Sequence, residues 1–161
     1  MLTQLSPIEI RIAGESDAQA ITDLINAAFK VAENFFVDED RIDLPTVNGL
    51  LEKGEFLLAE RNKALVGCVY LEPRGERTYL GLLSVEPSAQ NCGLGSLLMN
   101  ASEERCRSWN SSHLDILIVN LRAELPAFYG KRGYVETGTS PFPDEVVTKV
   151  PVHFVNMSKA L

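Results

Sequence analysis

The amino-acid sequence predicts one α/β (α+β) domain, built on a mixed central sheet of about six to seven strands with helices on both faces. Two patterns predict this class. Segments with strand or helix periodicity alternate along the chain without a repeat, linker or low-complexity block. An antiparallel first half is followed by a helix that leads into a nearly continuous apolar strand, typical of a parallel strand covered on both faces. The length of 161 residues suits a single domain over residues 1–161.

The first strand is predicted from strict alternation. Ile8, Ile10 and Ile12 are separated by the charged residues Glu9 and Arg11. A period of two residues is typical of a strand with one buried face and one solvated face.

Two helices are predicted next, separated by an irregular segment. Ser16 or Asp17 suits the N-cap of the first helix, and an apolar stripe at three- and four-residue spacing continues to about Val31. Residues 32–44 then mix acids with aromatic side chains. A second, short helix is predicted at residues 45–51, where the proline occupies the first turn.

The remaining elements follow from apolar runs and turn residues. They are predicted as strands at 56–60, 65–71 and 78–85, a helix at 93–107, a strand at 114–119, a helix at 124–132, and strands at 134–137 and 152–157. Turns at 61–63 and 73–76 join the first three of these strands into an antiparallel meander. Gly133 suits the left-handed position that ends the last helix. The order is therefore β-α-α-β-β-β-α-β-α-β-β.

Charge and cysteine content exclude several classes of protein. The net charge of −7 argues against a nucleic-acid partner, which requires basic stripes. Cys68, Cys92 and Cys106 are odd in number and widely spaced, and His113 and His153 lie far apart in the sequence. A disulfide framework or a metal site is therefore not expected. Cys68 lies in an apolar run and is expected to be a small buried side chain.

No membrane partner is expected either. No apolar run approaches the roughly 20 residues that a membrane helix requires. The N-terminus also lacks the charged start and apolar stretch of a signal peptide. These features predict a protein of the cytoplasm.

A glycine-containing loop carries the strongest indication of chemistry. A strand ends at Glu86-Pro87, and after a short loop Gly93 and Gly95 open an amphipathic helix. Glycines allow a ligand to approach the backbone, and a helix N-terminus offers unsatisfied N–H donors that favour a phosphate. The loop lies too late in the chain for a Rossmann site and lacks the Gly-Lys-Ser/Thr of a Walker loop. By itself the pair of glycines would favour a simple tight turn.

Two segments together resemble the GNAT acyltransferases. Gln90, Gly93 and Gly95 fill the family's acetyl-coenzyme A loop pattern, Gln/Arg-x-x-Gly-x-Gly/Ala. The run Phe128-Tyr129-Gly130-Lys131-Arg132-Gly133-Tyr134 resembles the Phe-Tyr-x-x-x-Gly-Phe/Tyr signature, one strand later. The resemblance implies the GNAT fold, with splayed fourth and fifth strands, and an acetyl-coenzyme A-dependent N-acetyltransferase.

The resemblance also implies a set of cofactor-binding residues. Backbone groups at the end of the fourth strand would hold pantetheine and polarise the thioester carbonyl. N–H groups of the loop and the first helical turn would receive the pyrophosphate. The residues so implied are Leu83, Ser84, Val85, Gln90, Asn91, Cys92, Gly93, Leu94, Gly95 and Ser96.

The chain departs from the family pattern at two places. Asn91 and Cys92 stand where family members usually have basic or glycine residues. Many members carry an asparagine seven residues before the signature tyrosine, where this chain has Arg122, and Asn120 lies nine before it. Either Asn120 or Arg122 is a candidate contact to the cofactor.

Proton transfer in this family implies an acid and a base. Tyr129 matches the tyrosine that gives a proton to the departing thiolate. The base is left open between Glu86, at the end of the splayed strand, and the acids of the segment after the first helix, which are Glu33, Asp38, Glu39 and Asp40.

Acceptor recognition in the superfamily comes from two loops, which here are residues 32–44 and 139–151. Glu33, Phe35, Phe36 and Phe142 are the candidate contacts, and they suit the amine of a small molecule or peptide. A homodimer is a further expectation from the superfamily, although the sequence has no obvious self-complementary patch. The alternative function is a non-catalytic GNAT-fold domain that binds coenzyme A as a sensor or docks a partner.

Overall fold

The computed structural model describes residues 6–89 and 93–161 and has the predicted α/β class. Eleven regular elements follow one another in the predicted order. They are β1 (Glu9–Ile12), α1 (Ala18–Glu33), α2 (Leu44–Lys53), β2 (Glu55–Arg61), β3 (Ala64–Arg74), β4 (Arg77–Val85), α3 (Leu94–Ser108), β5 (His113–Val119), α4 (Leu125–Gly130), β6 (Val135–Pro141) and β7 (His153–Ala160).

One mixed sheet of seven strands organises the domain, in the order β1-β2-β3-β4-β5-β7-β6. The pairs from β1 to β4 are antiparallel, β4 and β5 are parallel, and β5, β7 and β6 are again antiparallel. The parallel pair is joined by α3, since a crossover helix is the usual connection between parallel neighbours. The prediction of a mixed sheet is confirmed.

Helices cover both faces of the sheet. Successive side chains of β2 and β3 point to opposite faces, so each face carries a hydrophobic cluster of its own that a helix can cover. On one face α3 contributes Leu94, Leu98 and Met99, packed against Leu57 and Val69. The opposite face carries α1 and α2. Its members include Ile21, Ile25, Val47, Phe56, Leu58 and Cys68. Cys68 is fully buried, as predicted.

Most element boundaries agree with prediction within a few residues, and the differences have physical causes. β3 and β4 extend to Arg74 and Arg77, so Gly75 and the residue after it form the entire turn. Gly75 has φ +67°, in the left-handed region where glycine is favoured. β6 and β7 are longer than predicted because their backbone pairing runs from Val135↔Ser158 to Pro141↔His153.

A bulge in β4 shapes the centre of the sheet. Tyr70 of β3 faces Gly81, whereas Cys68 faces Ser84, so one β3 residue is opposed by two on β4. Leu82 lies in this bulge with φ +56°, a conformation that is rare for a side chain of its size. The Ser84 hydroxyl donates a hydrogen bond to the Leu82 carbonyl at 2.9 Å and so supports the bulge.

Pairing between β4 and β5 ends just before this bulge. It runs from Arg77↔His113 to Leu80↔Ile116, and within the described residues it goes no further. Both strands nevertheless continue, β4 to Val85 and β5 to Val119. Their carboxyl-terminal ends therefore diverge, and the prediction that the fourth and fifth strands splay is confirmed.

No helix in the described part of the chain is long and apolar enough to cross a membrane.

Candidate active site

A cavity of about 610 Å³ opens where β4 and β5 separate. One wall is the β4 bulge and the end of β5, from Ile116 to Val119. The N-terminal turn of α3 forms one end, and α1 with the segment after it forms the other. The β6–β7 loop and α4 complete the enclosure. The cavity thus connects a helix N-terminus to the side of the sheet on which α1 packs.

The α3 end of the cavity contains most of the predicted cofactor-binding residues. The described ones that line it are Leu83, Ser84, Val85, Gly93, Leu94, Gly95 and Ser96. Gln90, Asn91 and Cys92 lie outside the described residues, and their predicted roles stay predictions.

Gly93 is the N-cap of α3 and has φ +80°, so the chain enters the helix through a left-handed residue. No side chain of the described residues caps this N-terminus. The first N–H groups of a helix lack intrahelical partners and carry the positive end of the helix dipole. Gly95 follows, and a Cβ atom at this position would lie 3.4 Å from the Phe128 ring. The turn therefore presents backbone donors to the cavity and packs closely on α4.

Tyr129 lines the cavity and is 5% exposed. Its ring makes edge contacts with Phe128 at 5.0 Å and Tyr134 at 5.7 Å, measured between centroids. The hydroxyl makes no hydrogen bond within the described part of the chain. Burial raises the pKa of Tyr129 to about 12, against a smaller lowering by Arg122. The side chain therefore stays protonated at neutral pH.

Glu33 and Arg122 meet on the same wall. Arg122 Nη1 donates to Glu33 Oε2 at 3.2 Å, and Arg122 Nε donates to Glu124 Oε1 at 2.6 Å. Glu33 is the last residue of α1 and is 8% exposed. Burial raises the pKa of Glu33 above its usual range, against a smaller lowering by the nearby Arg122 guanidinium. The site therefore holds a carboxyl group that accepts a proton more readily than an exposed glutamate does.

The structure does not bring Glu86 or Asn120 to the cavity wall. The Glu86 carboxylate instead accepts hydrogen bonds from the backbone amide of Ser88, at 2.9 Å, and from its hydroxyl. Asn120 Oδ1 accepts from the backbone N–H of His153 at 3.0 Å, and the backbone N–H of Asn120 donates to the His153 carbonyl. Both side chains organise the loops in which they lie. Arg122, the alternative to Asn120, does line the cavity.

The predicted acceptor contacts are divided in the same way. Phe142 lines the cavity and packs on Phe154, with ring centroids 5.1 Å apart. Phe36 is fully buried outside the cavity, whereas Phe35 is 53% exposed and meets Phe36 edge-on at 4.8 Å. The Phe36 carbonyl accepts from the Lys149 amide at 2.8 Å, which ties this segment to the β6–β7 loop. Phe36 therefore anchors the segment after α1, Phe35 lies on the surface beside it, and neither lines the cavity.

Several cavity residues were not predicted from the sequence. They are Phe29, Arg41, Tyr79, Leu82, Glu124, Phe128 and Val146, among others, whereas Glu39 and Asp40 belong to the acids named from the sequence. Tyr79 carries a weak signal, since an aromatic residue near the middle of β4 falls next to the splay. Arg41 and Glu124 carry none, because only the packing of distant loops brings them to one wall.

The described residues contain no cluster of three or more His, Cys, Asp or Glu side chains that is suited to a metal ion.

Comparisons with known structures place this architecture among acetyltransferases. A ribosomal-protein-alanine N-acetyltransferase from Brucella melitensis is 24% identical, with 95% of this chain and 99% of that chain covered and a TM-score of 0.78. The PaiA N-acetyltransferase from Thermoplasma acidophilum, in complex with coenzyme A, is 16% identical over 96% and 99%, with a TM-score of 0.80. A ribosomal-protein-alanine N-acetyltransferase from Escherichia coli is 15% identical over 96% and 94%, with a TM-score of 0.78. At these identities the likeness shows the fold.

A comparison with curated protein sequences finds no significant match. The family model described as "Acetyltransferase (GNAT) domain" matches residues 33–161, which include the β4 bulge, the start of α3 and the Phe128-Tyr129 segment. The chain therefore belongs to the GNAT acetyltransferase family.

Proposed function

We propose that this protein is an N-acetyltransferase that transfers the acetyl group of acetyl-coenzyme A directly to the amine of a small molecule or peptide. One observation carries the proposal. One cavity is lined by the N-terminal turn of α3, by the diverging ends of β4 and β5, and by both Tyr129 and Glu33. Donor, acceptor and proton-transfer groups can therefore meet in one enclosed space.

The α3 end suits the donor. Gly93, the N-cap, has no side chain, and within the described part of the chain no other side chain caps the first turn, which leaves its N–H groups to the pyrophosphate. The diverging strands offer an apolar slot beside Leu83 and Val85 for the pantetheine arm. Backbone N–H groups near the Leu82 bulge lie where strand pairing with β5 has ended, which suits them to polarise a thioester carbonyl.

Tyr129 suits the role of proton donor. In the reaction the acceptor nitrogen forms a bond to the acetyl carbon, the carbon–sulfur bond breaks, and the thiolate takes up a proton. A hydroxyl with a pKa of about 12, on the cavity wall and without another hydrogen-bond partner among the described residues, can give that proton.

Glu33 is the better candidate for the base. It lies on the cavity wall, and burial raises its pKa towards the range in which a carboxylate accepts a proton efficiently. The Glu86 carboxylate lies outside the lining and accepts hydrogen bonds from Ser88. The proton released from the acceptor amine would pass to Glu33, either directly or through water.

The other end of the cavity, formed by α1 and the segment after it, would hold the acceptor and favours a cationic substrate. Its wall holds the carboxylates of Glu33, Glu39, Asp40 and Glu124 against the guanidinium groups of Arg41 and Arg122. An excess of acids attracts an ammonium group, which then loses its proton before attack. The Brucella and Escherichia proteins are named for an alanine of a ribosomal protein, which supports a peptide amine as one acceptor class to test.

Titration with acetyl-coenzyme A tests the donor first. At about 100 times its dissociation constant, a ligand bound only by the native state adds about 2.7 kcal/mol of stability. We expect acetyl-coenzyme A to raise the melting temperature and to give a calorimetric binding isotherm, while NAD and ATP do neither. Screening amines and N-terminal peptides for release of free thiol then tests the transfer.

The two measurements separate the possible failures. Binding of acetyl-coenzyme A without thiol release from any amine would favour the non-catalytic coenzyme A-binding domain. Absence of stabilisation at millimolar acetyl-coenzyme A would contradict the donor itself.

A further inference from the structure

β1 lies at one edge of the sheet, three strands away from β4 and the cavity. The backbone N–H of Ala13 donates to the Phe56 carbonyl at 2.9 Å, which continues the β1–β2 pairing by one residue and marks Ala13 as a residue whose backbone groups face β2. Alternate residues of an antiparallel strand direct their backbone groups to opposite sides. The N–H and C=O groups of Ile8, Ile10 and Ile12 therefore point away from β2. An edge of this kind is a template for pairing with another strand.

The side chains of this edge form an apolar surface on the face covered by α3. Ile10 and Ile12 are 36% and 45% exposed, and Leu97 of α3 is 43% exposed beside them. The three line a shallow groove of about 550 Å³ between β1 and α3. The groove therefore offers a small apolar surface that a partner seated along β1 would cover.

The charges on β1 point to the identity of the partner. Glu9 lies directly opposite Glu60 of β2, and like charges at such positions are unfavourable. Arg11 forms ion pairs with Glu60 and Asp17, each at 2.7 Å. Glu9 is exposed and has no ion pair within the described part of the chain. A cation placed opposite Glu9 on the outer side would offset the repulsion.

A second copy of β1 brings a cation to that position, because its Arg11 is 43% exposed even though it also pairs with Asp17 and Glu60 of its own chain. Antiparallel pairing about a two-fold axis at Ile10 sets Ile10 against Ile10, Ile8 against Ile12, and Glu9 against Arg11 of the second copy. The isoleucines, whose backbone groups point outward, then take the hydrogen-bonded positions. Glu9 and Arg11 take the non-hydrogen-bonded positions, where side chains approach more closely.

The register shifted by one residue lacks this agreement. An axis between Ile10 and Arg11 would set Glu9 against Ile12 and Ile10 against Arg11. It would also set residues whose N–H and C=O groups point towards β2 opposite residues whose groups point away from β2, since a slip by one residue exchanges the two kinds of position. Charge, backbone direction and side-chain face agree for the axis at Ile10.

We propose that this protein forms a two-fold symmetric homodimer through antiparallel β1–β1 pairing centred on Ile10, which joins the two sheets into one. A two-fold axis perpendicular to the sheet keeps both α3 helices on the same face, so the two grooves meet and cover their isoleucines and Leu97. The proposal does not depend on the acetyl-transfer reaction.

Sedimentation equilibrium over a range of protein concentrations tests the dimer, with two variants chosen to leave the monomer folded. Ile10→Pro removes an outward N–H that β2 does not use, and proline is accepted on the outer side of an edge strand. We expect this variant to sediment as a monomer, with the circular dichroism of the wild type.

Glu9→Arg gives the sharper test. The substitution sets a second guanidinium against Arg11 across the dimer axis, at both symmetry-related positions. We therefore expect the dimer dissociation constant to rise by at least about tenfold. Within the monomer the new cation faces Glu60, so the melting temperature of the dissociated protein should not fall. Glu9→Gln is the matched control and should weaken the dimer less.

Three results would overturn the proposal. The first is a wild-type chain that stays monomeric at roughly 0.1 mM, well above typical dimer dissociation constants. The second is a dimer that neither variant weakens, which would assign association to another surface. The third is dissociation by Ile10→Pro without an effect of Glu9→Arg, which would reject the register centred on Ile10.

Discussion

The Glu33 carboxylate accepts a hydrogen bond from Arg122 Nη1 at 3.2 Å across a separation of 89 residues, on the wall of the cavity between β4 and β5. The two side chains are 10% and 18% exposed. Burial nevertheless outweighs the attraction to Arg122, and the pKa of Glu33 is raised above its reference value of 4.5.

The first prediction follows from the sign of this shift. Between pH 4.5 and the raised pKa of Glu33, the folded chain binds more protons than the unfolded chain. The stabilisation from Glu33 is therefore complete below the unfolded pKa and is lost as pH rises through the folded pKa. Glu33→Gln should remove this loss, so the variant gains stability relative to the wild type as pH rises.

Urea denaturation at a series of acidic to neutral pH values measures this difference. Glu39→Gln removes an exposed carboxylate from the same wall and controls for the change in net charge. Parallel stability curves for Glu33→Gln and the wild type would contradict the raised pKa.

Tyr129→Phe should slow turnover by more than about tenfold while leaving the dissociation constant of acetyl-coenzyme A nearly unchanged. The phenylalanine keeps the ring contacts with Phe128 and Tyr134 and removes only the hydroxyl. Steady-state kinetics and calorimetry measure the two effects separately.

Tyr134→Phe is the matched control for that variant. The Tyr134 hydroxyl donates to Glu103 at 3.1 Å and does not line the cavity. We expect a loss of about 1–3 kcal/mol of stability, because Glu103 loses a buried hydrogen bond, with turnover retained. An unchanged turnover number in Tyr129→Phe would remove the tyrosine from the mechanism.

Gly93→Ala should destabilise the fold by about 1–2 kcal/mol, because φ +80° is unfavourable for a residue with a Cβ atom. We also expect weaker binding of acetyl-coenzyme A, since relief of the strain tilts the first turn of α3. Gly93→Asn should lose less, because asparagine tolerates the left-handed region.

Gly49→Ala provides the opposite case. Gly49 lies inside α2, and a Cβ atom there meets nothing within 4 Å. Alanine at this position should raise stability by about 0.5–1 kcal/mol without changing binding. Equal stability losses at Gly93 and Gly49 would show that backbone conformation is not the cause.

Cys68 and Cys106 should resist alkylation in the folded protein. Both are fully buried, and burial raises the pKa of Cys68 to about 12 and that of Cys106 to about 11. The thiolate is the reactive form and is scarce at mildly alkaline pH. Iodoacetamide labelling followed by peptide mapping should modify both residues in urea and neither in buffer. Modification of Cys68 in buffer would indicate local opening of the sheet.

Local patterns in the sequence were sufficient for the elements and for the residues that line the α3 end of the cavity. The alternation of isoleucines around Glu9 and the apolar run at residues 114–119 each report the environment of one strand. Gly93 and Gly95 mark a backbone conformation that needs no distant partner to be recognised. These signals lie within a few residues of the structure that they specify.

The end of the cavity beside α1 could not be predicted as well, because its residues meet only through packing. Phe35 and Phe36 have the composition of a binding segment, but the structure uses Phe36 as a buried anchor and leaves Phe35 on the surface. Arg41 and Glu124 reach the cavity from opposite halves of the chain. No local pattern distinguishes such residues from ordinary surface charges.

The sequence by itself determined the order of strands and helices, the family and the loop that opens α3, since each depends on neighbouring residues. Only the tertiary structure decided where β4 and β5 part, which carboxylate faces the cavity and which strand forms the edge of the sheet. The Leu82 bulge, the Glu33–Arg122 pair and the outward-facing backbone of Ile10 all arise from contacts between distant segments. Such contacts exist only once the chain has folded.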